Sequence, residues 1–144
     1  MTKIIITGQT PSHKNSKVMT LNRSTGKLFP RNNDRYLSWK GGAEVEILNQ
    51  VRHRHRGTVG VIMTFFVKDR RPRDLDNMAA SVLDVLVSTG SIDDDNVFVV
   101  PEISIHFGGI SKSNPRAEIT IQNLNDYPQV DIIGKEEKYE YTNL

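Results

Sequence analysis

The stretch TVGVIMTFFVKDRRPRDLDNMAASVLDVLVSTG, from Thr58 to Gly90, decides the fold. Its first third alternates: Val59, Val61, Met63, Phe65 and Val67 share one side of an extended chain, and Gly60, Ile62, Thr64, Phe66 and Lys68 share the other. Both sides are largely apolar, which predicts a central strand covered on two faces. Asp69 to Arg73, polar and carrying Pro72, breaks that pattern. The period then changes. Met78, Val82, Val85 and Leu86 recur at helical spacing, so a helix is expected from about Asn77 to Ser88, and Gly90 stands where helices commonly turn left-handed.

Working outward, Lys3 to Thr7 is β-branched and bounded by Gly8, a short strand. Gln9 to Asn33 is rich in Pro, Ser, Asn, Gly and basic residues and reads as a long loop, with a hairpin about Ser24-Thr25-Gly26. Asp34 is placed to cap a helix reaching about His53, whose apolar stripe is Tyr36, Trp39, Ala43, Ile47 and Val51. That helix would end in the cationic run Arg52-His53-Arg54-His55-Arg56, closed by Gly57. Val97 to Val100 and Ile103 to Phe107 form another strand, and the Pro101 interrupting it argues for an edge or a bulge. Arg116 to Gln122 alternates, with Ala117, Ile119 and Ile121 inward. The expected order is β-α-β-α-β-β: one α/β (α+β) domain over 1–122, a small mixed sheet packed by two helices. Residues 123–144 read as an acidic, partly disordered tail.

Composition fits that frame. A chain of 144 residues, 37% hydrophobic and 25% charged, is one ordinary domain. The absence of cysteine excludes disulfide frameworks, thiolate metal sites and cysteine nucleophiles. No apolar run approaches a membrane span, so a cytoplasmic protein is expected. The net charge of +2 hides an asymmetry. Residues 1–73 carry 15 Lys and Arg against 4 Asp and Glu, a balance of +11, whereas 74–144 carry 4 against 13, a balance of −9. Such a split suggests that one half meets a polyanion; the alternative is that the halves neutralise each other.

The chemistry concentrates at Asp74-Leu75-Asp76-Asn77 and, one helix later, Asp93-Asp94-Asp95-Asn96. If the chain reversal at Gly90 brings the clusters together, the carboxylates repel unless a cation joins them, and hard oxygen ligands suit Mg²⁺. Mg²⁺ held by carboxylates and open to phosphate is the composition of a phosphodiester-cleaving site. The plain alternative is that Asp74 and Asp76 cap a helix and Asp93-Asp94-Asp95 is a solvated turn. A calcium loop is excluded by spacing, and Gly8 lacks the glycine pattern of a nucleotide-binding turn. His13, His53, His55 and His106 are too dispersed for a clear metal site.

The run Arg73-Asp74-Leu75-Asp76-Asn77, then Asp84, Leu86, Gly90, Ile92 and Asp94-Asp95, resembles the RusA family of Holliday junction resolvases, as does the opening Gly8-Gln9-Thr10-Pro11-Ser12-His13-Lys14-Asn15. The resemblance covers about residues 3–122. It implies a Mg²⁺-dependent, homodimeric endonuclease (Mn²⁺ substituting) that cuts four-way DNA junctions in recombination and repair, of phage or prophage origin. The family's three essential carboxylates fall on Asp74, Asp76 and Asp95, with Asp94 assisting the metal or shaping the turn and Asn77 supporting. Where the family usually carries a lysine, three residues past the Asn, this chain has Ala80; Lys14, Lys17 and Lys68 are candidate replacements. Arg52, Arg54, Arg56, Arg70, Arg71 and Arg73 form the best phosphate-contact set, and Lys14, Lys17 and Lys68 join them as expected DNA-binding residues. A junction-binding protein with weak or no cleavage is the alternative that Ala80 favours.

Overall fold

The computed structural model describes residues 1–124. Its sheet has the order β1-β6-β4-β5, from β1 (Thr2–Thr7), β4 (Val59–Val67), β5 (Glu102–Ile110) and β6 (Arg116–Asn123). β4 and β5 run parallel and the other pairs antiparallel. Helix α1 (Asp34–Gln50) precedes β4, and α2 (Leu75–Ser88) connects β4 to β5. The mixed α/β class and the element order follow the sequence reading. The tail beyond residue 124 lies outside the described residues, and the last described pairings are Val59 with Asn123 and the Leu124 N–H donating to the Thr58 carbonyl at 2.9 Å.

The core is one cluster. Alternate residues of β4 (Val59, Val61, Met63, Phe65, Val67) meet Ile4 and Ile6 of β1, Ala117, Ile119 and Ile121 of β6, Ala43 and Ile47 of α1, and the inner face of α2. Both helices therefore lie on the same side of the sheet. The expectation of a strand covered on two faces is corrected accordingly: Ile62 is exposed and Thr64 and Phe66 are half-buried. Phe66 is sheltered instead by the Arg116 guanidinium, 3.8 Å from its ring centre, and by Gly108, where an added Cβ would stand 2.7 Å from the ring.

Local chemistry moves several boundaries. Asn33, not Asp34, caps α1, its Oδ1 accepting the Tyr36 N–H at 2.7 Å. The helix ends at Gln50 because the Val51 backbone turns extended, so Arg52 to Arg56 is an irregular connection rather than a helix end. Within it His55 is buried, its ring bridging Asn123 Oδ1 and Thr2 Oγ1 at 3.0 and 2.6 Å. The long loop holds a hairpin, β2 (Lys17–Leu21) paired with β3 (Leu28–Asn32), around the expected turn. Helix α2 starts two residues earlier than periodicity indicates, with Asp74 at its cap position. Val97 to Val99 form a turn, not a strand, held by Asn96 Oδ1 accepting the N–H groups of Phe98 and Val99. β5 starts after Pro101 and is an edge strand among the described residues, as one reading of that proline has it; its bulge, opposite Phe65/Phe66, falls at Gly108 and not at Pro101.

Candidate functional site

Asp74 and Asp76 sit at the N-terminal end of α2, just beyond the end of β4. The loop between is braced from within: Arg73 Nη1 bonds Asp69 Oδ1 at 2.7 Å and reaches the Asp69 and Arg71 carbonyls at 3.3 and 3.2 Å. Arg73 first, then the Arg71 N–H, hold the Asp69 carboxyl below its usual range. Gln9 ties the N-terminal segment to the same loop, its Oε1 accepting the Lys68 N–H at 2.9 Å. Ser81 Oγ, one turn along α2, donates to the Pro11 carbonyl at 2.7 Å.

An Asp at a helix cap normally accepts from the first-turn N–H groups. Asp74 makes no such bond, and its Oδ2 accepts only the Asn77 side-chain amide at 3.3 Å. Asp76 Oδ1 takes the Asn77 backbone N–H at 2.9 Å. Asn77 thus touches both carboxylates, which leaves Asp74 Oδ1 and Asp76 Oδ2 without a donor among the described residues. Beside Asp74 opens a cleft of about 750 Å³, lined by Gln9, Thr10, Asn15, Arg35, Trp39, Lys68 and Arg71 among others. The Thr10 hydroxyl and the Trp39 indole N–H are buried in its walls without partners among the described residues. Sequence reading placed Thr10 in the family-like opening without giving it a role, missed Arg35, which belongs to no motif, and assigned Trp39 to the core stripe alone.

Asp93, Asp94 and Asp95 stand elsewhere. Asp93 Oδ2 accepts the Gly57 N–H at 2.9 Å, at the beginning of β4. Asp94 is engaged by the Asp95 N–H at 2.7 Å and the Asn96 amide at 3.1 Å. The first of these chiefly holds its carboxyl below the usual range. It shapes the turn. The Asp95 carboxylate is exposed and accepts no donor among the described residues.

The two clusters therefore flank opposite ends of α2 and of β4. A 14-residue helix spans about 21 Å, so the reversal at Gly90 carries the chain away from Asp74 rather than back to it. Among the described residues, no three His, Asp or Glu side chains of one chain stand close enough to hold a metal ion. The donor chemistry nevertheless suits Mg²⁺: Asp74, Asp76 and Asp95 offer exposed, unengaged hard oxygens, and none is ion-paired among the described residues.

Each cluster has its own cations. Lys68, Arg70 and Arg71 adjoin Asp74, while Arg52, Arg54 and Arg56 precede Gly57 at the Asp93 end, and all six are exposed. Arg73 is already committed to Asp69. Lys14 and Lys17 are exposed at the start of the hairpin. Of the other family-like positions, Asp84 accepts the Tyr36 hydroxyl at 2.7 Å and pairs with Lys40 at 3.1 Å, bracing α1 against α2.

The family model of endodeoxyribonuclease RusA matches residues 10–122, leaving β1 outside the match. A search of curated proteins returned no match.

Proposed function

The chain belongs to the RusA family of endodeoxyribonucleases, and on that premise we propose that it resolves four-way DNA junctions by paired, Mg²⁺-dependent cuts as a homodimer acting in recombination and repair. The observation that carries the reading is the set of exposed carboxylates without cationic partners, each cluster bordered by arginines or lysines. Asp74, Asp76 and Asp95 would hold Mg²⁺, which when bound polarises the scissile phosphate and lowers the pKa of the attacking water. Asn77 fixes the orientation of the first two carboxylates. Lys68, Arg70 and Arg71 on one side, and Arg52, Arg54 and Arg56 on the other, neutralise the flanking phosphates.

Because Asp95 lies a helix length from Asp74, one chain holds two half-sites. A two-fold contact along α2 and β5 would set the N-terminal end of one α2 against the C-terminal end of the other, completing two equivalent sites. The surfaces suit this. Beside Asp74 lies a hollow of about 460 Å³ with Leu75, Met78, Phe107 and Ile110 on its apolar side and Asp69, Arg70, Arg71 and Arg73 on the other. Three residues past Asp95, Phe98 projects with 70% of its surface exposed, a side chain of the right kind to fill the partner's hollow.

The test is a labelled four-way junction. Asp76→Asn is expected to lower nicking by at least about 10²-fold while binding without divalent cation persists. Binding by the unaltered chain with no Mg²⁺-dependent nicks would favour the non-cleaving alternative.

A further inference from the structure

The β2–β3 hairpin packs little of itself against the body. Residues 21–30 are all exposed. Its base is firm: the Asn33 N–H donates to the Ser16 carbonyl at 2.7 Å and the Asn33 amide to the Asn15 carbonyl at 2.6 Å. Its tip is firm too. Asn22 Oδ1 accepts the Ser24 and Thr25 N–H groups, and Gly26 takes the positive φ of +71° that closes the turn. The register pairs Met19 with Pro30 and Leu21 with Leu28, which puts those four apolar side chains on one face. That face is open, with Met19 62%, Leu21 54% and Leu28 63% exposed. A two-stranded hairpin gains little stability alone, and an uncovered apolar face on it marks a contact surface.

Charge identifies the partner. No acidic residue occurs from Gln9 to Asn33, whereas Lys17, Arg23 and Lys27 surround the apolar face and have no ion pair among the described residues. The hairpin base, Asn15 and Asn33, lines the cleft beside Asp74. An arm that is cationic at its margins, apolar on one face and rooted at a carboxylate cleft fits DNA whose bases are accessible for stacking. Continuous duplex hides those faces; a branch point exposes them.

We propose that the β2–β3 hairpin is a branch-reading wedge. Met19, Leu21, Leu28 and Pro30 lie against the open base-pair faces at the centre of a four-way junction, and Lys17, Arg23 and Lys27 contact the flanking phosphates. The inference rests on the junction-cleaving reading above and names the element that separates junction from duplex.

The experiment uses the full chain without divalent cation, a four-way junction carrying 2-aminopurine at its branch point, and a linear duplex of the same sequence. The unaltered chain should prefer the junction and raise the 2-aminopurine fluorescence. Leu21→Ser/Leu28→Ser should lose about tenfold in junction affinity, keep duplex affinity within about twofold and abolish the fluorescence rise. Arg23→Ala/Lys27→Ala, which leaves the apolar face intact, should weaken both complexes and make their salt dependence shallower. A serine variant that retains junction preference and fluorescence overturns the wedge. So does one that only changes the sedimentation mass, since the face would then contact a second copy. If the unaltered chain shows no junction preference, the junction reading fails and the wedge with it; a preference insensitive to the serines defeats the wedge alone.

Discussion

At the scale of single residues, the same side-chain type does different work according to its partners. Asp69, Asp93 and Asp94 are engaged by backbone or arginine donors and hold turns, whereas Asp74, Asp76 and Asp95 keep oxygens free. Asp84 is the internal brace. Burial alone would raise its pKa, but the Tyr36 hydroxyl, Lys40 and the more distant His13 outweigh that and lower it. Burial foremost, then Asp84, pushes the Tyr36 hydroxyl far above its usual value, so it remains a donor. A carboxyl depressed in the folded state contributes stability above its unfolded pKa and loses it as pH falls through the folded value. Thermal midpoints should therefore drop below about pH 4, and Asp84→Asn should flatten that part of the profile. Tyr36→Phe should lower unfolding free energy by about 1 kcal/mol in a denaturant titration. The acidic clusters, the Asn77 support and the family positions were legible in the sequence. Which carboxylates are engaged was not, because that depends on N–H groups the fold delivers from elsewhere, such as Gly57 to Asp93.

At the scale of elements, β1 shows how a free edge is managed. Its outward backbone groups bond α1 side chains: the Ile5 N–H donates to Gln50 Oε1 at 2.8 Å, the Gln50 amide donates to the Ile5 carbonyl at 2.7 Å, and Glu46 accepts the Thr7 N–H at 3.2 Å. Glu46→Ala/Gln50→Ala should lower stability by about 1–2 kcal/mol and increase self-association, read by denaturant titration and light scattering, because an unpaired edge recruits strands. The strands of the sheet were readable from alternation, and α1 and α2 from their stripes. Their limits were not always so. Helix α1 stops before the arginine run because Val51 turns extended, and Val97 to Val99 turn because Asn96 gathers their N–H groups, neither of which periodicity registers. The second face of β4 looked buried because Ile62 and Phe66 are apolar, yet among the described residues no helix lies over it. Residues alone do not say on which side of a sheet two helices pack.

At the scale of the whole molecule, the charge asymmetry resolves into two carboxylate clusters at opposite ends of α2, each with exposed cations beside it. Reading the chain reversal at Gly90 as convergence failed because β5 runs parallel to β4, so the connection must return to the starting end of the sheet. In the proposed homodimer a second copy reunites the clusters, and Phe98→Asp is therefore expected to give a folded monomer by sedimentation with cleavage lost. The most direct measurement mixes two inactive variants. Asp76→Asn and Asp95→Asn chains, each silent alone, are unfolded together, refolded and assayed with Mg²⁺ on a four-way junction labelled on each strand. A shared site predicts that mixed dimers recover one intact centre and nick a single strand. Mixed dimers that form and remain silent would place all three carboxylates within one chain and contradict the account.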